Sequence, residues 1–304
     1  MNETLVNSVE QVLDIKDESQ FEIYCALGDQ LVKEFFIEQT YMEAASSPSS
    51  SNKKDNGPFN DDGRIPTLTK IGDWFARIIT RLNAWFTRKM TLKMIEKITK
   101  LPLYKQNEKN PNAKYQCIFP QAEWRQEYEE LNAKFDPDMW KSFVFIKDNN
   151  TDRLYQSILK AYNAGTLQQR VKNINKLKED SAEMWKEIKN ITAVNTTAAD
   201  AQSELTQPEL DKWLHSLTDS SEKLGTCIRD AYQSKDAIKK LCTEMASKDT
   251  VDKKVEFEKM SEQYVKFITD ITRCWLYMAQ IEKRITDRIY YSLTNAKQES
   301  KDEM

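Results

Sequence analysis

Glycine is scarce in this chain of 304 residues: there are 6, alongside 8 prolines. With glycines only at 28, 57, 63, 72, 165 and 225, neither GxGxxG nor GxxxxGK[ST] can be written, which excludes the glycine-rich loops that cradle nucleotide phosphates. Histidine is scarcer still. The single one, His215, stands beside Ser216, and on a helix adjacent residues point in different directions. That excludes a local Ser-His pair and predicts a surface or boundary histidine. Cysteines number 5, an odd count, are widely scattered and form no CxxC. Neither a disulfide framework nor a Cys/His metal site fits, and free thiols in a reducing compartment are expected. HExxH and EF-hand loops are also missing, so neither metal nor cofactor is expected. No uncharged apolar run of ~18 residues exists, so no ordinary transmembrane helix is expected. The first residues are acidic and polar, without a classical secretion signal. Paired carboxylates such as Glu129-Glu130 and Glu179-Asp180 lie among lysines and read as solvated helix faces. The expectation is a protein that is not an enzyme and has no small-molecule substrate.

What the chain does have is charge and helix-forming residues. Charged residues make up 31% and aromatics 10%, which with few breakers predicts a mostly helical protein with a real core. The net charge is -3, so bulk electrostatics do not make the whole chain a nucleic-acid binder. Charge is uneven, however: residues 70–100 hold eight Lys/Arg against Asp73 and Glu96, a local net of +6.

The order of segments predicts an all-α fold: an N-terminal helical arm, a linker, a basic amphipathic helix and an elongated antiparallel helical bundle. Residues 1–43 read as the arm, with apolar residues near helical spacing. Residues 44–66 hold three Pro, two Gly and a serine run and read as a flexible linker. Residues 67–102 form the basic helix, and 103–113 read as loop. In the body, 103–304, apolar runs near 115–119 and 142–146 are β-prone. They read either as a small two-stranded ribbon or as extended segments flanking helices. Beyond 152, apolar stripes recur at helical spacing. One precedes a stop at Gly165, and Thr206-Gln207-Pro208-Glu209 has the form of a capping box. The last two stripes, 207–246 and about 251–296, predict helices roughly 60 and 70 Å long.

Residues 68–100 are the one segment of unusual chemistry. On a helical wheel Ile71, Trp74, Phe75, Ile78, Ile79, Leu82, Trp85 and Phe86 fall within an arc of roughly 140°. Lys70, Arg77, Arg81 and Arg88 run along one flank, and Asp73, Ala76 and Thr80 lie behind. Such a helix wants an apolar surface beneath it and anions beside it. Three readings follow: Trp74, Phe75, Trp85 and Phe86 pack in the protein's own core; they dock on an anionic membrane; or Arg77, Arg81, Arg88, Lys89, Lys93 and Lys97 contact phosphates of DNA.

Two phrases carry a resemblance. Glu18-Ser19-Gln20-Phe21-Glu22-Ile23-Tyr24 ends an acidic helical N-terminus. After a polar linker, Ile78-Ile79-Thr80-Arg81-Leu82-Asn83-Ala84-Trp85-Phe86-Thr87-Arg88 opens a long helical body. In layout, residues 1 to about 100 resemble virion proteins of tailed bacteriophages of low-GC hosts. The resemblance implies a non-enzymatic structural component of the particle, inside the capsid or in the host cytoplasm, whose partners are other virion proteins or further copies of itself. Tyr41-Met42-Glu43-Ala44 looks like the hydrophobic-x-Glu sites cut by prohead proteases, which makes Glu43 and Ala44 a candidate processing site. Two other functions fit the same pattern: a bilayer-binding or pore-forming helical protein, and a cytoplasmic coiled-coil scaffold.

Overall fold

The computed structural model describes residues 30, 33–34, 66–117, 122–135, 149–189, 203–246 and 254–302. The elements are α1 (Pro66–Thr87), α2 (Met90–Thr99), α3 (Pro102–Asn107), β1 (Lys114–Cys117), α4 (Ala122–Ala133), α5 (Thr151–Asn163), α6 (Thr166–Lys189), β2 (Ser203–Thr206), α7 (Gln207–Gln233), α8 (Lys235–Met245) and α9 (Lys254–Asp302). The fold is all-α, as expected, and among the described residues it holds one small antiparallel ribbon. Most of the arm and linker, the segment 142–146 and the candidate processing site Glu43 and Ala44 lie outside the described residues.

Several expectations need correction. The basic segment is not one helix. It breaks at Lys89, which adopts left-handed φ 51 and ψ 44, a conformation that costs a non-glycine residue roughly 1–2 kcal/mol. The stretch read as loop after Pro102 begins with the short helix α3, whose proline stands at the first turn, where its missing N–H costs nothing. The stripe running from 207 to 246 is likewise two helices, parted at Ser234. The partner of β1 is β2, with Tyr115 opposite Leu205. Both side chains of the Tyr115–Leu205 pair are buried, the cross-strand packing that stabilises so short a ribbon.

The chain divides into two units. The first comprises Met1–Arg81, Phe143–Lys172 and Ala231–Arg273. Its core holds Leu68, Ile71, Trp74, Phe75, Ile78 and Ile79 from α1, with Leu154, Ile158, Ile238, Leu241, Tyr264, Phe267 and Ile268. Helices α1 and α8 approach closely at Gly72. A Cβ there would stand 3.0 Å from Cys242 Cβ and 3.2 Å from Lys239 Cα. The start of α8 is capped from a distance. Its own N-cap residue, Ser234, makes no side-chain cap bond, and instead Asn149 Oδ1 accepts from the Ala237 N–H at 2.6 Å. Asn149 has φ 54, a region asparagine tolerates better than most residues, and its neighbour Asn150 caps α5 by accepting from the Arg153 N–H at 3.0 Å. The expected stop at Gly165 is present: φ is 71, and its N–H donates to the Tyr162 carbonyl at 2.9 Å.

The second unit comprises Leu82–Ser142, Asn173–Asp230 and Cys274–Met304. Its core includes Leu82, Tyr128, Leu131, Phe135, Trp185, Trp213, Leu217, Trp275, Met278, Ile281, Ile285 and Ile289. The ribbon leads directly into α7. The Gln207 N–H donates to the Ala113 carbonyl at 3.0 Å, and Tyr115 OH bonds the Gln207 side chain. The Thr206 capping box forms as its sequence suggests. The Thr206 N–H and Oγ1 both donate to Glu209 Oε2, at 2.7 and 2.8 Å. These two bonds hold the Glu209 carboxyl below its usual range.

Candidate anion-binding groove

Helix α1 forms because its apolar residues repeat at helical spacing, and that repeat decides which way its side chains face. Ile71, Trp74, Phe75, Ile78, Ile79 and Leu82 are all at most 2% exposed. The aromatic pair Trp74 and Phe75 is therefore core, which leaves it nothing to offer a bilayer. Trp85 and Phe86 are half-buried. Phe86 lies against Gly225 of α7, where an added Cβ would meet its ring at 3.3 Å.

With the apolar stripe turned inward, the polar back and the basic flank of α1 form one wall of a groove of about 440 Å³ in the first unit. It is lined by Asp73, Ala76, Arg77, Thr80, Arg81 and Lys239. Arg77 and Arg81 stand one helical turn apart on the same face. Arg77 is exposed and Arg81 half-buried. Burial moves the Arg81 guanidinium below its usual value, though an arginine in a protein stays charged. Lys239 arrives from α8 and pairs with Asp73 at 2.8 Å. The Thr80 hydroxyl donates to the Ala76 carbonyl at 2.7 Å, so its proton is occupied. The charged donors that line the groove are two guanidiniums and one ammonium, with one carboxylate among them. Such a set carries the kind of donors that pair with an oxyanion.

The remaining basic candidates, Arg88, Lys89, Lys93 and Lys97, are exposed and belong to the second unit. His215 is exposed on α7. Cys227, Cys242 and Cys274 are buried free thiols. Among the described residues no helix is long and apolar enough to cross a membrane.

The second unit also encloses a carboxylate. Glu282 on α9 is 0% exposed. Its Oε1 accepts from Ser220 Oγ at 2.7 Å and Tyr128 OH at 3.4 Å, and its Oε2 accepts from Thr91 Oγ1 at 3.3 Å. Burial pushes the Glu282 carboxyl up to about 8 against the pull of these hydroxyls. Burial, followed by the nearby carboxylate, likewise drives Tyr128 well above the ordinary tyrosine value. Sequence reasoning missed Glu282, although a signal was present. Glu282 lies four residues after Met278, three before Ile285 and seven from both Trp275 and Ile289, so it occupies the buried stripe of α9. Lys239 was missed as well, and there the local sequence holds no signal, because its partner Asp73 is remote in the chain. Compared with known proteins, the chain matches no family model, no curated protein and no solved structure.

Proposed function

We propose that the chain is a non-enzymatic structural protein of a bacteriophage particle, acting through helix surfaces rather than through chemistry. The observation that carries this reading is where the distinctive side chains go. Trp74 and Phe75 are packed inside, and Glu282 is bonded by three hydroxyls of its own unit. What faces outward on the described helices is a charged surface, whose field steers association with partners of complementary charge. The layout of residues 1 to about 100 supplies the bacteriophage part of the reading. The same burial weighs against the bilayer-binding alternative, which needs those aromatics outside.

The test is mass spectrometry of purified phage particles from a lysate in which this gene is expressed. The protein is expected at a fixed copy number per particle, with mature chains beginning at Ala44 if Glu43-Ala44 is cut. Particles that lack the protein would overturn the virion reading. Particles that carry only the chain starting at its first residues would overturn the processing site alone. Intact protein that binds anionic vesicles without being destabilised would move the membrane-active reading ahead.

A further inference from the structure

We propose that the groove lined by Arg77, Arg81 and Lys239 binds a phosphate group of a nucleic-acid backbone. This goes beyond the structural role proposed above and does not depend on it, since a virion protein need not touch nucleic acid.

Three features point to a phosphate. First, the groove has the donors. Two guanidiniums on one face of α1 present planar forks that suit the oxygens of a phosphate, and Lys239 adds an ammonium from the facing helix α8. Second, the arrangement is held in place. Gly72 allows α1 and α8 to come within van der Waals contact, which sets the spacing of the walls, while the half-exposed Lys239–Asp73 pair adds little. Third, Arg77 and Arg81 stand one helical turn apart on the same face, so their two charges act together at one place in the groove. Counting Asp73, the lining carries two net positive charges in a protein whose total is -3. The site is thus local, and long-range attraction contributes little to it.

A backbone phosphate fits better than a lipid headgroup. A bilayer takes up apolar side chains beside the basic ones, whereas Trp74, Phe75, Ile78 and Ile79 flank these arginines and are all at most 2% exposed. With two or three contacts per protein the affinity of a single copy is low. It becomes useful when many copies line one polymer, because linked weak contacts multiply.

The test uses the full-length protein and a fluorescently labelled DNA duplex, with anisotropy followed as salt is raised from low ionic strength. The expected slope of log K against log salt is about -2 to -3, from two or three phosphate contacts. Joint replacement Arg77→Gln and Arg81→Gln should make the slope shallower by about 2 and weaken binding on the order of tenfold or more. Asp73→Asn should act in the opposite direction. It frees Lys239 and removes a repelling carboxylate, so binding tightens by about two- to fivefold, a gain that misfolding cannot imitate. Lys239→Gln should weaken binding, and Lys176→Gln, exposed on α6 and outside the groove, should leave it unchanged. If the arginine variant does not fold, the Asp73 and Lys239 variants decide. Absence of binding at low salt, or an unchanged Kd in the groove variants, overturns the proposal. Two competitors separate the possible sources of phosphate. Vesicles of phosphatidylcholine with phosphatidylglycerol that bind in preference to DNA, through the same arginines, overturn the nucleic-acid assignment. So does inorganic phosphate, if it displaces DNA far below the concentration at which chloride of equal ionic strength does.

Discussion

Glu282 shows how much one side chain can impose on its surroundings. Its carboxyl titrates near 8 in the folded chain and near 4.5 when exposed. Below about 4.5 both states hold the proton, and the group imposes no penalty. Between the two values the unfolded chain releases the proton while the folded chain retains it. Stability therefore falls as pH rises, by about 1.4 kcal/mol per pH unit, until the folded carboxyl ionises near 8. Glu282→Gln keeps the shape and removes the titration. We expect the variant to gain on the native protein steadily between pH 5 and pH 8, read as the difference in urea midpoint. Parallel midpoint curves would show that Glu282 is ionised, or hydrated, within the fold. The residue scale also shows what could be read in advance. Thr206 and Glu209 were legible because a capping box is complete within four residues. Glu282 looks locally like any glutamate among Gln280, Lys283 and Arg284, and only its phase along α9 distinguishes it. Asn149 was not legible, because the helix it caps begins 86 residues further on, at Lys235.

At the scale of elements, close helix approaches turn on the two described helical glycines, which are predicted to respond differently to the same change. At Gly72 the nearest atoms are Cys242 Cβ at 3.0 Å and Lys239 backbone at 3.2 and 3.3 Å. Backbone of a packed helix cannot shift cheaply, so Gly72→Ala should cost about 1–3 kcal/mol in overpacking, more than the gain of up to about 1 kcal/mol in helix propensity. At Gly225 the neighbour is the ring of Phe86, which is half-buried and able to move. Gly225→Ala should therefore be near neutral. Thermal midpoints of the two variants check this, and a stabilised Gly72→Ala would mean that α1 and α8 stand further apart. The existence of most helices was legible, since apolar period alone decides it, but their ends were less so. Nothing in Arg88-Lys89-Met90 marks a break, because lysine rarely adopts a left-handed turn. Strand β2 was hidden for a different reason. Only one of its four residues, Leu205, is strongly apolar, so there is too little alternation to read, and its partner is fixed by tertiary packing.

At the scale of the molecule, the sequence path is interleaved. Each unit draws on three separate stretches, and α1, α6, α7 and α9 each contribute residues to both. The two units also hold grooves of opposite sign. The first unit carries the basic groove, while the second has a groove of about 330 Å³ lined by Glu127, Glu130, Asp180, Glu183 and Glu187 with Lys134. The local +6 of residues 70–100 foreshadows the arginines of the first groove, but not Lys239 or the acidic set of the second, which come from helices distant in sequence.

Three buried thiols turn the interleaving into something that can be timed. Cys242 belongs to the first unit, and Cys227 and Cys274 to the second. Burial pushes the Cys242 thiol up to about 12, so almost none is thiolate at neutral pH, and alkylation must wait for the surrounding helices to part. Each cysteine is then a stopwatch for the opening of its own neighbourhood, read position by position from the alkylated peptides. Because four helices run on from one unit into the other, the expected result is that all three thiols acquire label with a common half-time as urea is added. If Cys242 is labelled long before Cys227 and Cys274, the two halves of those helices melt separately. The chain would then possess a partly opened state in which the walls of the basic groove come apart while the Glu282 cluster stays closed.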